Sequence, residues 1–393
     1  MKILFISKKQ DACFFFRALM PSTHLGFLDH EVKLVSIEHQ LQCVHCGKKD
    51  LQEVQISHIG DEYKCKFCFA PLMNKLNEWK QSVFDLADWA DVVVFQRVTE
   101  SDHLKLMMAC KNMGKRVIWE ADDDYINIPP RNSGYAYYKP KQKILEEMMR
   151  VASGITVTTE SLKQVYLPYN SNIQVIPNAF DLEVYDVTPP IQSVYIMNGS
   201  RQVITPEQFE KIREGRKFVC WAGSPTHEED LELVLKPLKK LIERENVLVG
   251  MGAFVHSYML ANYPASNFYA FGVVPSLGWY SMLKFLKPDV WLGPVVKNQF
   301  NSAKSNIKKI EANLMSAMFV GSDFDTYNKD SMDAFLCSDD PHDWFSQMRR
   351  AVNIDSDEKT SILNHNMNVI REQYDIKQTV RLWDKFLQNG VAE

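Results

Sequence analysis

Apolar residues fall along this chain in short, almost unbroken runs separated by amphipathic stretches. The first set of runs is "KILFIS" (2–7), "EVKLVS" (31–36), "DVVVFQ" (91–96), "RVIWEA" (116–121), "GITVTT" (154–159) and "IQVIPN" (173–178). Between them lie stretches with helical spacing, such as "KLNEWKQSVFDLADWA" (75–90) and "SDHLKLMMACKNMG" (101–114). Strands that are apolar throughout are buried on both faces, and their alternation with helices predicts a parallel, doubly wound sheet. A polar, proline-containing stretch (187–216) interrupts this rhythm, which then restarts with "KFVCWAG" (217–223), "VLVGMGA" (247–253), "FYAFGV" (268–273), "VWLGPV" (290–295) and "MFVGS" (318–322). Helices are predicted over 228–245 and 303–317, and a last one over 376–390 stops at a glycine cap. The pattern predicts two α/β domains, 1–183 and 184–375, then a terminal helix, 376–393. Residues 40–72 stand out as an insertion in the first domain.

Length and composition agree with two globular domains: 393 residues, 46% hydrophobic and 11% aromatic. Lys+Arg is 45 against Asp+Glu 49, a net charge of −4, so there is no global footprint for nucleic acid or membrane. The N-terminus is broken by charge and no run of about 18 apolar residues occurs, so "KILFIS" is a strand and not a signal peptide. The expectation is a cytoplasmic protein with reduced cysteines.

Candidate chemistry sits in the loops that follow strands, where sheets of this kind bind ligands. In "WAGSPTHEEDL" (221–231), Gly223 permits close backbone approach, Ser224 and Thr226 offer hydroxyls, and His227 precedes a helix whose free N–H groups suit an anion. The plainer reading is an N-cap without ligand. In "FNSAKSNIKKIEA" (300–312), read as a helix from about Ser302, Lys304 and Lys308 lie one turn apart and Glu311 lies near the same face. Lysines at a helix start oppose the dipole, which makes sense if a phosphate binds there; the alternative is a solvated charged face. Asp122, Asp123 and Asp124 form an acidic run at a strand end, suited to sugar hydroxyls, a divalent cation or an acceptor, or else to capping the turn that follows. Arg17 and Arg97, at comparable ends, are read as phosphate or acceptor contacts or as structural ion pairs.

Taken in order, these loops resemble the retaining, GT4-like group of GT-B glycosyltransferases. "WAGSPTHEEDL", the strand ending "GPV", "FNSAKSNIKKIEA" and "MFVGSD" resemble its donor half. "VFQR", "WEADDDY", "ITVTTESL" and "VIPNAFD" resemble its acceptor half. The resemblance implies two Rossmann-like domains facing a cleft and a nucleoside-diphosphate sugar, UDP-sugar favoured, as donor. By it Lys304 and Ser305 contact phosphate and Glu311 the ribose, Asn306 and Lys308 belong to the donor-binding set, and Gly223 to His227 line the other side. Asp122, His227 and Lys304 are then the catalytic candidates. Two departures stand out: Ala303 occupies the place of a second glutamate, and Thr226 and His227 replace an Arg and a Lys.

Of eight cysteines, Cys43, Cys46, Cys65 and Cys68 form Cys-x2-Cys, eighteen residues, Cys-x2-Cys. That spacing predicts a closed, structural zinc site on a small β-ribbon. Residues 43–70 carry four lysines and four acids, so the insertion has no net charge. Cys13, Cys110, Cys220 and Cys337 are expected to be inert core residues. The expected activity is sugar transfer to a hydroxyl with retention. A polymer acceptor is expected, a hydroxymethylated DNA base slightly ahead of polysaccharide or protein. A nucleotide-sugar epimerase and a non-catalytic GT-B binding module stay open as alternatives.

Overall fold

The computed structural model describes residues 1–8, 11–36, 56–59, 62–65, 79–272, 274 and 276–390. The first sheet contains β1 (Lys2–Ser7), β2 (Glu31–Ser36), β5 (Val92–Gln96), β6 (Arg116–Ala121), β7 (Gly154–Val157) and β8 (Ile173–Val175). Its order is β2-β1-β5-β6-β7-β8 and every pair is parallel. β3 (Ile56–Ile59) and β4 (Glu62–Cys65) form a separate antiparallel pair inside the insertion. Cys43, Cys46 and Cys68 lie outside the described residues, and of Cys65 only the backbone is described.

The second sheet holds β9 (Val194–Asn198), β10 (Ser200–Ile204), β11 (Lys217–Cys220), β12 (Val247–Gly252), β13 (Phe268–Phe271), β14 (Val290–Gly293), β15 (Met318–Ser322) and β16 (Phe335–Cys337). The order is β10-β9-β13-β12-β11-β14-β15-β16, with β9 antiparallel to both its neighbours and the rest parallel. The hairpin β9–β10 lies within the stretch read as polar linker. β10 is an edge strand exposed over its first four residues, so it carries no apolar run by which to recognise it. The helix Pro206–Arg213 follows, closed by a capping box between Thr205 and Gln208. β16 is also absent from the apolar pattern, being three residues long.

Strand alternation sorts the first sheet into two buried layers. Leu4, Ile6, Val93, Phe95, Val117 and Trp119 face one side; Ile3, Phe5, Val92, Val94 and Ile118 face the other. The second layer needs a cover, and the C-terminal helix Ile376–Asn389 supplies it with Val380, Trp383, Phe386 and Leu387. That helix ends at Gly390 in the left-handed region, φ 77°. It follows the second sheet in sequence yet packs on the first. Trp383 is 1% exposed, with its ring 5.8 Å from Phe5.

Both sheets have a switch point, where crossovers leave in opposite directions: between β1 and β5 in the first, between β11 and β14 in the second. In open α/β sheets such points mark the crevice at the carboxyl ends of the strands. Trp383→Ala removes a buried ring from the layer that ties the terminal helix to the first sheet. It is expected to destabilise the protein by about 3–5 kcal/mol in chemical denaturation.

Candidate active site

The loop after β11 is built around Trp221. A Cβ at Gly223 would stand 2.6 Å from Cζ2 of that ring, so only glycine fits there. Ser224 and Thr226 bond to each other through their hydroxyls at 2.5 Å, and Thr226 is exposed. Pro225–His227 makes one tight turn into the helix Glu228–Arg244, whose first turn carries Glu228, Glu229 and Asp230, as the helix dipole favours. His227 Nδ1 lies 2.8 Å from Asp230 Oδ2. Asp230 Oδ1 accepts from the Val296 N–H at 2.7 Å and the Asn301 amide at 3.0 Å. This buried carboxylate, which sequence reading did not single out, ties the β11 loop to the segment after β14. Burial, Lys304 and Lys308 push the His227 ring down to about 4, against the pull of Asp230.

The lysine-rich stretch does not form one helix. A short helix, Gln299–Ser302, ends at Ala303, and the next runs Ile307–Leu314 with Asn306 as its cap residue. Lys304 and Ser305 therefore lie in the break, not on a helical face with Lys308. The three lysines part company. Lys309 is buried, bonded to the Tyr327 carbonyl at 2.9 Å and to Asp330 at 2.6 Å, and serves the fold. Lys308 donates to the Ala222 carbonyl and stands over the Trp221 ring at 5.3 Å. Lys304 stands over Phe300 at 4.6 Å and reaches Asp123 at 3.6 Å. Burial and the repulsion of Lys304 lower Lys308, with Glu311 opposing.

Glu311 is 5% exposed and accepts from the Trp279 indole at 2.7 Å. Burial raises its carboxyl, with Lys308 opposing. The Asn306 side chain is taken up by Asp330 at 2.6 Å and Tyr374 at 2.9 Å, and Ser305 accepts from Asn178 at 2.9 Å.

On the other side of the seam the three aspartates have three different surroundings. Asp122 accepts from the Tyr125 hydroxyl at 2.8 Å and lies 3.7 Å from Arg97. Burial opposes its charge, but Arg97 and hydrogen bonds from Cys13 and Tyr125 prevail and hold it low. Asp123 is raised by burial and by Asp122, with Lys304 opposing. Asp124 takes the capping role, accepting from the N–H groups of Ile126 at 2.9 Å and Asn127 at 3.0 Å. Among the described residues no three potential metal ligands converge.

Arg97 has φ 54°, costly for a residue with a Cβ, and thereby turns its guanidinium to Asp11 at 2.9 Å. Cys13, read as core, instead lies beside Arg97 and Asp122, half-buried; the other three expected core cysteines are buried. Arg17 is 1% exposed, bonded to Glu120 at 2.6 Å and the Ile176 carbonyl at 2.6 Å, which makes it a structural ion pair. Burial pushes Glu120 up to about 7 despite that arginine.

The two halves meet at this site. Besides Lys304–Asp123, the Thr159 hydroxyl donates to the Ala303 carbonyl at 2.8 Å, and Asn132 donates to the Thr226 carbonyl at 3.1 Å. Arg131 reaches Glu229 at 3.2 Å and Glu232 at 2.8 Å. Ala303 is fully buried and packs with the core of the first half, so its place admits no carboxylate side chain without rearrangement.

Two Rossmann-like sheets facing each other across a seam define the GT-B fold. No protein-family model matches the chain, and no curated protein matches it either. Solved structures do. Anabaena HepE in complex with UDP-glucose superposes with a TM-score of 0.63 at 12% identity, over 98% of this chain and 99% of that one. A UDP-forming trehalose-phosphate synthase of Burkholderia xenovorans gives 0.61 at 9% identity, over 98% of both chains. The E. coli trehalose-6-phosphate protein bound with UDP-2-fluoro glucose gives 0.59 at 12%, over 99% of both. These likenesses show the fold. Among the described residues no helix is long and apolar enough to cross a membrane.

The His227 environment has a consequence for stability. Its reference value of 6.5 falls to about 4 in the fold, so the unfolded chain binds more protons between those values. The contribution is complete above pH 6.5 and lost as pH falls towards 4. Compared with His227→Gln, the unsubstituted protein is expected to lose on the order of 2 kcal/mol more between pH 7 and pH 5 in chemical denaturation, a difference that leaves out other titrating groups such as Glu120.

Proposed function

We propose that this chain is a glycosyltransferase that moves a sugar from a nucleoside-diphosphate sugar, a UDP-sugar first, to a hydroxyl, with retention. The observation that carries the reading is the grouping of Lys304, Lys308 and Glu311 around the start of one helix, beneath the Gly223 loop and opposite Asp123. Loss of the diphosphate is the demanding event, because negative charge grows on its oxygens. Lys304, Lys308 and the first N–H groups of the helix, those of Asn306 and Ile307 among them, are donors fixed in place for that charge. Ser305 lies just before that helix, and the Ser224 and Thr226 hydroxyls lie on the Gly223 loop. Glu311 accepts from the Trp279 indole at Oε1 and is proposed to accept from a ribose hydroxyl as well. In this reading residues 1–183 carry the acceptor side and 184–375 the donor side.

The likeness in fold to proteins whose structures hold UDP-glucose or UDP-2-fluoro glucose supports UDP as the nucleotide. Asp122 and Asp123 would meet hydroxyls of the sugar or acceptor, with Arg97 holding Asp122 charged. The acceptor is read as a polymer, a hydroxymethylated base of DNA first. Lys139 and Lys143, exposed beside the Tyr135–Tyr138 helix of the acceptor side, support an anionic one. Cys43, Cys46, Cys65 and Cys68 are proposed to hold one structural zinc, which metal analysis of the purified protein tests.

Asp123 is the acid that pairs with Lys304, so a bound diphosphate must take its place. Lys304→Ala and Glu311→Ala are expected to lower donor turnover on the order of 100-fold. Asp123→Asn is expected to tighten UDP binding by about threefold or more, since one competing anion is gone. Calorimetry with UDP, beside a turnover assay, separates the two effects. The acceptor is tested by mass spectrometry of nucleosides from hydroxymethylated DNA incubated with the protein and a pool of UDP- and GDP-sugars. A mass gain on the modified base supports DNA; donor consumption without it keeps the transferase and removes DNA. No donor consumption and no UDP binding overturn the reading.

A further inference from the structure

His227 presents a specific hydrogen-bonding face, and Asp230 dictates which. Asp230 is 4% exposed, and its partners are the Val296 N–H at 2.7 Å, the Asn301 amide at 3.0 Å and His227 Nδ1 at 2.8 Å. A backbone N–H can only donate, so Oδ1 is an acceptor, and the other carboxylate oxygen accepts the hydrogen bond from Nδ1–H. The lone pair of the ring is thereby placed on Nε2. That nitrogen bonds to no described residue and is not among the enclosed polar atoms; the ring is 17% exposed. A second proton would have to join a ring packed edge-on to Trp221, 6.2 Å away, against the positive charge of Lys304 and Lys308 and with Asp230 in its favour.

A neutral ring with its lone pair outward accepts hydrogen bonds and gives nothing to a phosphate oxygen. The lysines beside it are donors only. Position says which part of a ligand would meet the lone pair. The charged neighbours of His227 are Lys304, Lys308 and Asp230, whereas Glu311 has Lys308 as its charged neighbour beside the indoles of Trp279 and Trp291. His227 thus lies towards Lys304, the lysine that reaches Asp123, and Glu311 towards Lys308. With Glu311 at the ribose and the lysines at the diphosphate, the His227 side is the sugar end.

We infer that Asp230 is a positioning residue that holds His227 with Nε2 as the acceptor for a hydroxyl of the donor's sugar, and not as a contact to the diphosphate. The inference rests on the nucleotide-sugar reading above and goes beyond it by assigning a sugar-recognising atom.

Two measurements on the full chain test it. Nitrogen-15 NMR of the histidines is expected to show His227 neutral and protonated on Nδ1 at pH 7, with Asp230→Asn shifting that signature. An imidazolium or an Nε2–H form would overturn the inference without reference to any ligand. Calorimetry with UDP and with UDP-glucose provides the second. His227→Asn keeps a donor towards Asp230 and deletes the acceptor, so UDP-glucose binding is expected to weaken about three- to tenfold relative to UDP binding, the worth of one neutral hydrogen bond. His227→Gln, whose Oε1 can stand near the position of Nε2, is expected to recover part of that loss. Equal weakening of UDP and UDP-glucose would place the contact on the nucleotide and overturn the inference alone. Failure of the unsubstituted protein to bind UDP would instead remove the nucleotide-sugar reading, and this inference with it.

Discussion

The site depends on one packing constraint: Phe300 and Ala303, which belong to the second half by sequence, are buried in the core of the first. Burying a phenylalanine ring is worth about 2–3 kcal/mol, more than an exposed ion pair contributes. The apolar contact therefore sets the register of the seam, and the charges follow. With Phe300 anchored and the Ala303 carbonyl bonded to Thr159, the next residue, Lys304, has little choice but to emerge opposite Asp123. The break between the helices Gln299–Ser302 and Ile307–Leu314 follows from the same anchoring, since a continuous helix would carry Lys304 round with Lys308.

Electrostatic work is divided around that seam. Charges fully withdrawn from water have dedicated partners: Arg17 has Glu120 and Lys309 has Asp330. Such pairs yield little net stability, but losing one partner would strand the other. Lys304, Lys308, Asp122 and Asp123 are crowded with incomplete compensation, and burial opposes the charge of Lys308 and Asp123 alike. Strain appears at the same place, in the left-handed backbone of Arg97. An arrangement that costs stability in three ways at the carboxyl ends of two sheets is what a ligand of opposite charge would relieve.

Much of the fold was legible because a parallel strand buried on both faces must be apolar throughout. All eleven predicted runs correspond to strands, from β1 to β15. The β9–β10 hairpin was not, because an exposed edge strand need not be apolar and Arg201 and Gln202 give no alternation to read. The Asp122–Asp124 run drew attention as one acidic cluster, yet its members do three different things. Asp230 drew none, since an acid in the first turn of a helix is ordinary and its partners at 296 and 301 are distant in sequence.

The sequence by itself thus determined the elements, their parallel character, and which loops carry charge and glycine where strands end. Those properties are set by burial and backbone sterics acting over a few residues. Only the tertiary structure decided that Lys309 is structural while Lys304 and Lys308 face the seam, that Arg17 belongs to the core, and that the terminal helix returns to cover the first sheet. Each of these turns on which side chain meets which across tens to hundreds of residues. A lysine reads the same in sequence whether an aspartate waits beside it or not.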